Sequence, residues 1–220
     1  MRIGVLGGTG PAGRALSARL AAGGFDVLMG SRSRYRAMEE TDRLLAAWPD
    51  HDLTVEAADN EGASEADVVV IATPWDAAAS TAASVSMQLR GKVVISMANA
   101  LAKVGHEFQP LVPPRGSVAA SVQAALPESR VAAAFHHVPA KELGDLAHPV
   151  ESDVLICSDH KSATQSTIEI VRQLPDMRPL DAGELSNAAP IEAFAAVLLQ
   201  LNVRYKTRAA VKFTGIDLGE

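Results

Sequence analysis

The chain opens with Arg2-Ile3-Gly4-Val5-Leu6, which reads as a buried strand, and passes at once into Gly8-Thr9-Gly10-Pro11-Ala12-Gly13. This is the spacing G-x-G-x-x-G. It carries weight only where a strand precedes it and a helix follows. Here a helical stretch runs from about Pro11 to Ala22. In such a unit the first glycine permits the tight turn, the second lets backbone approach a pyrophosphate, and the third lets helix and strand pack closely. The free N–H groups and positive dipole end of the helix then face an anion. The start of the chain is thereby committed to a β-α-β unit with a dinucleotide at its carboxyl edge.

The rest of the sequence continues that alternation. Strands are expected at about 26–29, 53–57, 67–72, 92–96, 131–135, 153–157 and 177–180, and helices at about 34–47 and 75–89. Another helix opens near Asp159 and His160, and Pro110, Pro113 and Pro114 punctuate a loop after the fifth strand. Runs such as Val68-Val69-Val70-Ile71 lack polar alternation, as strands covered on both faces do. The expected fold is α/β, a doubly wound, Rossmann-type, mostly parallel sheet with a short C-terminal helical annex. We divide the 220 residues into a nucleotide-binding domain, 1–183, and a helical segment, 184–220. With 39 alanines and only 4% aromatics, the core must rest on small and branched aliphatics and closely approaching helices. The helix from Glu184 to about Tyr205 is apolar around most of its circumference, so it is buried on several sides. Either one domain supplies all of that cover or a second subunit supplies part of it; a homodimer is the expected state.

Composition closes other routes. A net charge of -6 argues against a nucleic-acid scaffold. No apolar run approaches the roughly 20 residues that cross a bilayer. Cys157, the only cysteine, sits in Val154-Leu155-Ile156-Cys157 and reads as an inert core residue. His51, His106 and His148 are scattered without metal-ligand spacing, so no metal is expected. A strand at the very N-terminus leaves no room for a signal peptide, which implies a cytoplasmic protein.

The end of the second strand selects the nucleotide. NAD-selective sites place Asp or Glu there to hold the ribose 2′-hydroxyl. This chain has Gly30-Ser31-Arg32-Ser33-Arg34-Tyr35-Arg36, with no carboxylate before Glu39. Ser31 and Arg32 stand where the 2′-phosphate of NADP lies, and Arg36 is one turn further on. Guanidinium matches phosphate in a bidentate way. NADP is therefore the expected nucleotide. Three further segments end strands at the same edge: Thr73-Pro74-Trp75, Ser96-Met97-Ala98-Asn99 and Phe135-His136-His137-Val138-Pro139.

Together with Gly7-Gly8-Thr9-Gly10, Gly30-Ser31-Arg32 and Asp181-Ala182-Gly183-Glu184-Leu185-Ser186-Asn187, these segments resemble the NADPH-dependent deazaflavin reductases, or F420H2:NADP oxidoreductases. The resemblance runs from Met1 to about Phe213. It implies reversible hydride transfer between NADP(H) and coenzyme F420, a 5-deazaflavin. It assigns Thr9, Ser31, Arg32 and Arg36 to the adenosine phosphates, with Gly8, Gly10, Pro11, Ala12 and Gly13 as the phosphate loop. Thr73, Pro74 and Trp75 border the ring site beside Met97, Ala98 and Asn99. His136, Val138 and Pro139 line the deazaflavin pocket, and Leu185, Ser186 and Asn187 close it. Arg36 stands where a lysine can occur, and Ser121 where relatives carry glutamate. His136 is the candidate for managing a proton at the deazaflavin, since histidine titrates near neutrality. Continued strand alternation sends His137 to the opposite face. The basic residues Arg204, Lys206, Arg208 and Lys212 read as a solvated face, or as an attractor for the cofactor's polyglutamate tail. Two other readings of the same fold remain: an NADPH-dependent reductase of a small imine or carbonyl, and a non-catalytic NADP-sensing module.

Overall fold

The computed structural model describes residues 1–217. The first half alternates as expected: β1 (Arg2–Leu6), α1 (Pro11–Ala22), β2 (Asp26–Ser31), α2 (Arg34–Ala47), β3 (Val55–Asp59), α3 (Asn60–Ala63), β4 (Val68–Ile71), α4 (Trp75–Ser84), α5 (Ser86–Leu89) and β5 (Val93–Ser96). The expected helix over 75–89 is thus two pieces, broken at Val85. After β5 come β6 (Leu101–Val104), β7 (Glu107–Pro110), α6 (Val118–Ala125), β8 (Arg130–Ala133) and α7 (Ala140–Leu143). The chain ends with β9 (Ser152–Ile156), α8 (Lys161–Arg172), β10 (Met177–Asp181), a 3-10 turn (Leu185–Asn187) and α9 (Ala188–Tyr205).

Six strands form one parallel sheet in the order β3-β2-β1-β4-β5-β8. Alternate residues divide between two layers. Ile3, Val5, Val68 and Val70 pack with Leu16 and Leu20 of α1 and Ile170 of α8. Leu6, Val69, Ile71 and Val94 pack with Ala78 and Ala82 of α4 and Val122 of α6. All four residues of β4 are buried, which is why its sequence lacks alternation. Alanine and glycine set the spacing of the layers: a Cβ on Gly4 would collide with the Ala63 carbonyl of α3.

Four expectations needed revision. β9 and β10 form a separate two-stranded parallel sheet, joined to β8 through an antiparallel bridge between Ala133 and Cys157. The segment after β5, read as a loop, contains the antiparallel hairpin β6–β7, turning at Gly105 with φ +61°. Helix α6 was not foreseen. Finally, α9 is buried on one side only, through its Ala188, Glu192, Ala195, Ala196 and Leu198, while its Phe194, Val197, Leu201 and Tyr205 are exposed.

The chain after α9 is tied back in large part around the buried Asp153. Arg178 of β10 holds the Asp153 carboxylate with two contacts of 2.7 Å and donates to the carbonyls of Phe213 and Ile216. Those contacts keep the Asp153 carboxyl below the usual carboxylate range against its burial.

Candidate functional site

The phosphate loop is built by backbone packing. Gly7, just before the motif, takes the left-handed turn with φ +78°. That role had been expected of Gly8. Gly8 is instead pinned under the second strand: its N–H donates to the carbonyls of Gly30 and Val5, and a Cβ would sit 2.7 Å from Met29 Cγ. Gly13 lets α1 rest on the loop, since a Cβ there would lie 2.5 Å from the Gly7 carbonyl oxygen. Gly10 differs. A Cβ there would meet nothing nearer than the Gly7 carbonyl at 3.3 Å, so its outer side is open. Gly10 also caps α1 without a side-chain hydrogen bond, Pro11 is the first helical residue, and no acid stands in the first turn. An uncapped helix start with backbone open at its tip is a cradle for an anion.

Beside this loop, Thr9 Oγ1 lies 3.5 Å from Ser31 Oγ. Ser31 also accepts the N–H of Ser33, which in turn caps α2 by accepting the N–H of Arg36. These bonds fix the β2–α2 turn while Arg32, Arg34 and Arg36 project into solvent. The residues present fit a nucleotide bearing an additional phosphate on its adenosine ribose: open backbone for the diphosphate, and a hydroxyl with free guanidinium groups beside it.

Thr73 packs directly against Gly7, whose Cβ would lie 2.8 Å from Thr73 Cγ2. Trp75 opens α4 and covers the second core layer. Met97 and Ala98 are buried at the end of β5. Asn99 Nδ2 donates to the His136 carbonyl at 2.5 Å, which joins the loops after β5 and β8. The side-chain oxygens of Thr73, Ser96 and Asn99 are buried without hydrogen-bond partners. Buried polar groups of this kind are satisfied by ordered water or by a bound ligand.

The histidine pair departs from expectation. Strand alternation does not reach it, because β8 ends at Ala133 and Phe135 takes a left-handed conformation with φ +63°. The rings of His136 and His137 therefore meet edge to face, 5.5 Å apart, instead of pointing to opposite faces. His137 Nε2 accepts the Leu155 N–H at 3.0 Å, locking the loop to β9 and requiring an unprotonated Nε2. His136 is buried with both ring nitrogens unpartnered. Burial, reinforced by His137 and only partly offset by the Ala134 backbone, pushes His136 down to about 3. Burial likewise takes His137 to about 4. Both rings are neutral at pH 7.

Three positioning residues escaped the sequence reading. Arg19, on the buried side of α1, donates to the carbonyls of Leu143, Glu142, Asp145 and His148, clamping α7 and hence the Val138-Pro139 turn to the glycine-loop helix. Its signal was an arginine among Leu16, Ala18 and Leu20 on an apolar helix. Asp159 does not cap α8; it accepts the Leu185 N–H at 2.9 Å and so fixes the 3-10 turn. Glu192, the one carboxylate within the otherwise apolar stretch of α9, accepts the N–H of Val118 at 2.8 Å and of Ala119 at 3.1 Å. Leu185 is buried against Ala119, Ala133, Cys157 and Ala188, Ser186 is exposed, and Asn187 Nδ2 braces the Ala182 carbonyl. Burial raises the Cys157 thiol to about 11, which leaves it protonated and unreactive. Among the described residues no group of His, Cys, Asp and Glu is placed to hold a metal ion, and no helix is long and apolar enough to cross a membrane.

Residues 2–100 match the family model described as NADP oxidoreductase, coenzyme F420-dependent. The F420-dependent NADP reductase of Methanocaldococcus jannaschii is 33% identical over 99% of this chain and 100% of its own. The chain belongs to the F420-dependent NADP reductase family. The enzyme of the same name from Methanothermobacter marburgensis is 35% identical over 98% of this chain and 99% of its own. The fold agrees: the crystal structure assigned as an F420-dependent NADP reductase from Arthrobacter sp. FB24 superposes with a TM-score of 0.77 at 24% identity, covering 94% and 95% of the two chains. For this reductase-family chain, similarity therefore extends through α9 and beyond the dinucleotide-binding half.

Proposed function

We propose that the protein transfers a hydride reversibly between NADP(H) and coenzyme F420. Full-length similarity to named F420-dependent NADP reductases carries this reading. The β2–α2 turn supports the choice of nucleotide, since Ser31 and Arg32 stand where an NAD-selective chain carries a carboxylate. The hydride would pass between nicotinamide C4 and deazaflavin C5, and the chemistry is the cofactors' own.

The chain's residues bind and orient. Gly8, Thr9, Gly10, Pro11, Ala12 and Gly13 receive the diphosphate, and Ser31, Arg32 and Arg36 the 2′-phosphate. Thr73, Pro74, Trp75, Met97, Ala98 and Asn99 border the nicotinamide. His136, Val138 and Pro139 line the deazaflavin side, and Leu185, Ser186 and Asn187 complete it. A buried His136 that stays neutral at pH 7 supports the wall of that pocket, and is not the proton donor that an unperturbed histidine could be. We divide the chain into a nucleotide-binding domain, 1–183, and a helical annex from 184, whose last three residues lie outside the described ones. The exposed stripe Phe194, Val197, Leu201 and Tyr205 on α9 supports a homodimer through that helix, and the reading places the enzyme in the cytoplasm. The test is to mix the protein with NADPH and F420 and follow the deazaflavin chromophore. Bleaching at catalytic protein levels is expected, and much slower with NADH. No bleaching rejects the function; equal rates with NADH reject the role of Arg32.

A further inference from the structure

Strand β9 pairs with β10 along one edge and meets β8 along the other only at the Ala133–Cys157 bridge. Every second residue of a strand turns its backbone groups to the same side. On the side away from β10, Cys157 donates its N–H to the Ala133 carbonyl at 3.1 Å, and Asp153 donates to the Val211 carbonyl at 2.7 Å. Leu155 lies between these two, level with the turn where the opposite chain has already left β8. Its N–H goes to Nε2 of His137 at 3.0 Å. A side chain here takes the place of a missing strand.

That bond fixes the state of the ring. Nε2 accepts, so the single proton of the neutral imidazole is on Nδ1. The ring is buried and meets that of His136 edge to face at 5.5 Å. The rest of the turn is held from elsewhere. Val138 donates its N–H to the Phe135 carbonyl at 3.0 Å, and the His136 carbonyl accepts from Asn99 in the loop after β5. Among the described residues, the hydrogen bond that ties this turn to β9 runs through His137. Without the acceptor, the Leu155 N–H is left unpaired at a part-buried edge, and the turn loses its register on the second sheet.

We propose that His137 is a positioning residue of the reaction: by stitching the turn to β9, it sets where Val138 and Pro139 stand at the cleft while staying buried itself. The inference rests on the reading above of Val138 and Pro139 as part of the deazaflavin side.

Two variants separate the acceptor from the ring. His137→Gln carries an acceptor to about the place of Nε2. His137→Phe keeps an aromatic ring against His136 and removes the acceptor. In His137→Phe, KM for F420 is expected to rise about tenfold, as for one lost hydrogen bond whose donor stays unpaired. KM for NADPH stays at the parent value, and His137→Gln brings KM for F420 back close to it. The Leu155 amide exchanges slowly with deuterated water in the parent and in His137→Gln, and about tenfold faster in His137→Phe. The imidazole nitrogen resonances of the parent show the proton of His137 on Nδ1.

A His137→Phe enzyme with the parent KM for F420 overturns the proposal, as does a His137→Gln enzyme impaired to the same degree as His137→Phe, or a rise shared equally by F420 and NADPH. So does a parent whose His137 carries its proton on Nε2, or whose Leu155 amide exchanges freely; these two results need no variant to fold. A parent that reduces no F420 overturns the F420 reading, and the role at the deazaflavin side with it, while a protected Leu155 amide in that same protein still shows the stitch.

Discussion

Glu192 offers a test in which structure, charge and pH are tied to one atom group. Its carboxyl is buried on α9 and accepts two backbone N–H groups from the first turn of α6. Burial raises its pKa to about 7 from the ordinary 4.5, although both N–H donors oppose the shift. Desolvation therefore outweighs the cap. Between these two values the folded chain holds a proton that the unfolded chain has released, so stability falls as pH rises through the window. A shift of about 2.5 pH units corresponds to about 3 kcal/mol. Glu192→Gln keeps the shape and one acceptor but removes the titration. The two buried histidines act in the opposite sense: folded neutral, unfolded charged, they cost stability as pH falls below about 6.5. That contribution is common to both proteins and cancels in their difference. Denaturant unfolding of parent and variant at pH 4.5 and pH 8 is the assay. The variant should gain about 3 kcal/mol on the parent across that range, or roughly 6–12 °C in relative Tm at about 2–4 °C per kcal/mol. Parallel stability curves would refute the reasoning.

Gly13→Ala should cost about 1–3 kcal/mol, because the added carbon meets the backbone of Gly7 and Gly8, which cannot swing aside; denaturant midpoints measure it. Arg19→Met strips four carbonyls of their donor. A loss of about 3 kcal/mol is expected, together with a raised KM for F420, because the turn after β8 loses its anchor. Ser31→Asp combined with Arg32→Ala should raise KM for NADPH about 10- to 100-fold, equivalent to losing one charge-assisted contact of about 1.5–3 kcal/mol. The same change should leave NADH use unchanged or improved, as steady-state kinetics with both nucleotides will show.

The sequence exposed the parallel sheet because that part obeys local rules: apolar strands, a glycine loop and helices of regular period. Thr73, Asn99 and His136 were legible as strand ends on one rim. What escaped depended on distant partners or on a single backbone angle. Phe135 adopting φ +63° turns two histidines expected on opposite faces into a contacting pair. Asp159 stands in the sequence at the opening of a helix, yet it serves a turn 26 residues away. Glu192 caps a helix 74 residues upstream of itself. The hairpin β6–β7 has four residues per strand and two prolines soon after it, too little alternation to separate it from a loop. Helix α9 showed its apolar circumference in the sequence, but only the fold reveals that one stripe of it stays uncovered.

The most direct measurement of the central claim is isotopic. NADPH deuterated at the transferring position of nicotinamide C4 is mixed with the protein and F420, and the reduced deazaflavin is recovered and weighed by mass spectrometry. Direct hydride transfer on this site predicts deuterium at deazaflavin C5 in the product. A reduced deazaflavin carrying only solvent hydrogen there, or no reduction at all, would contradict the account.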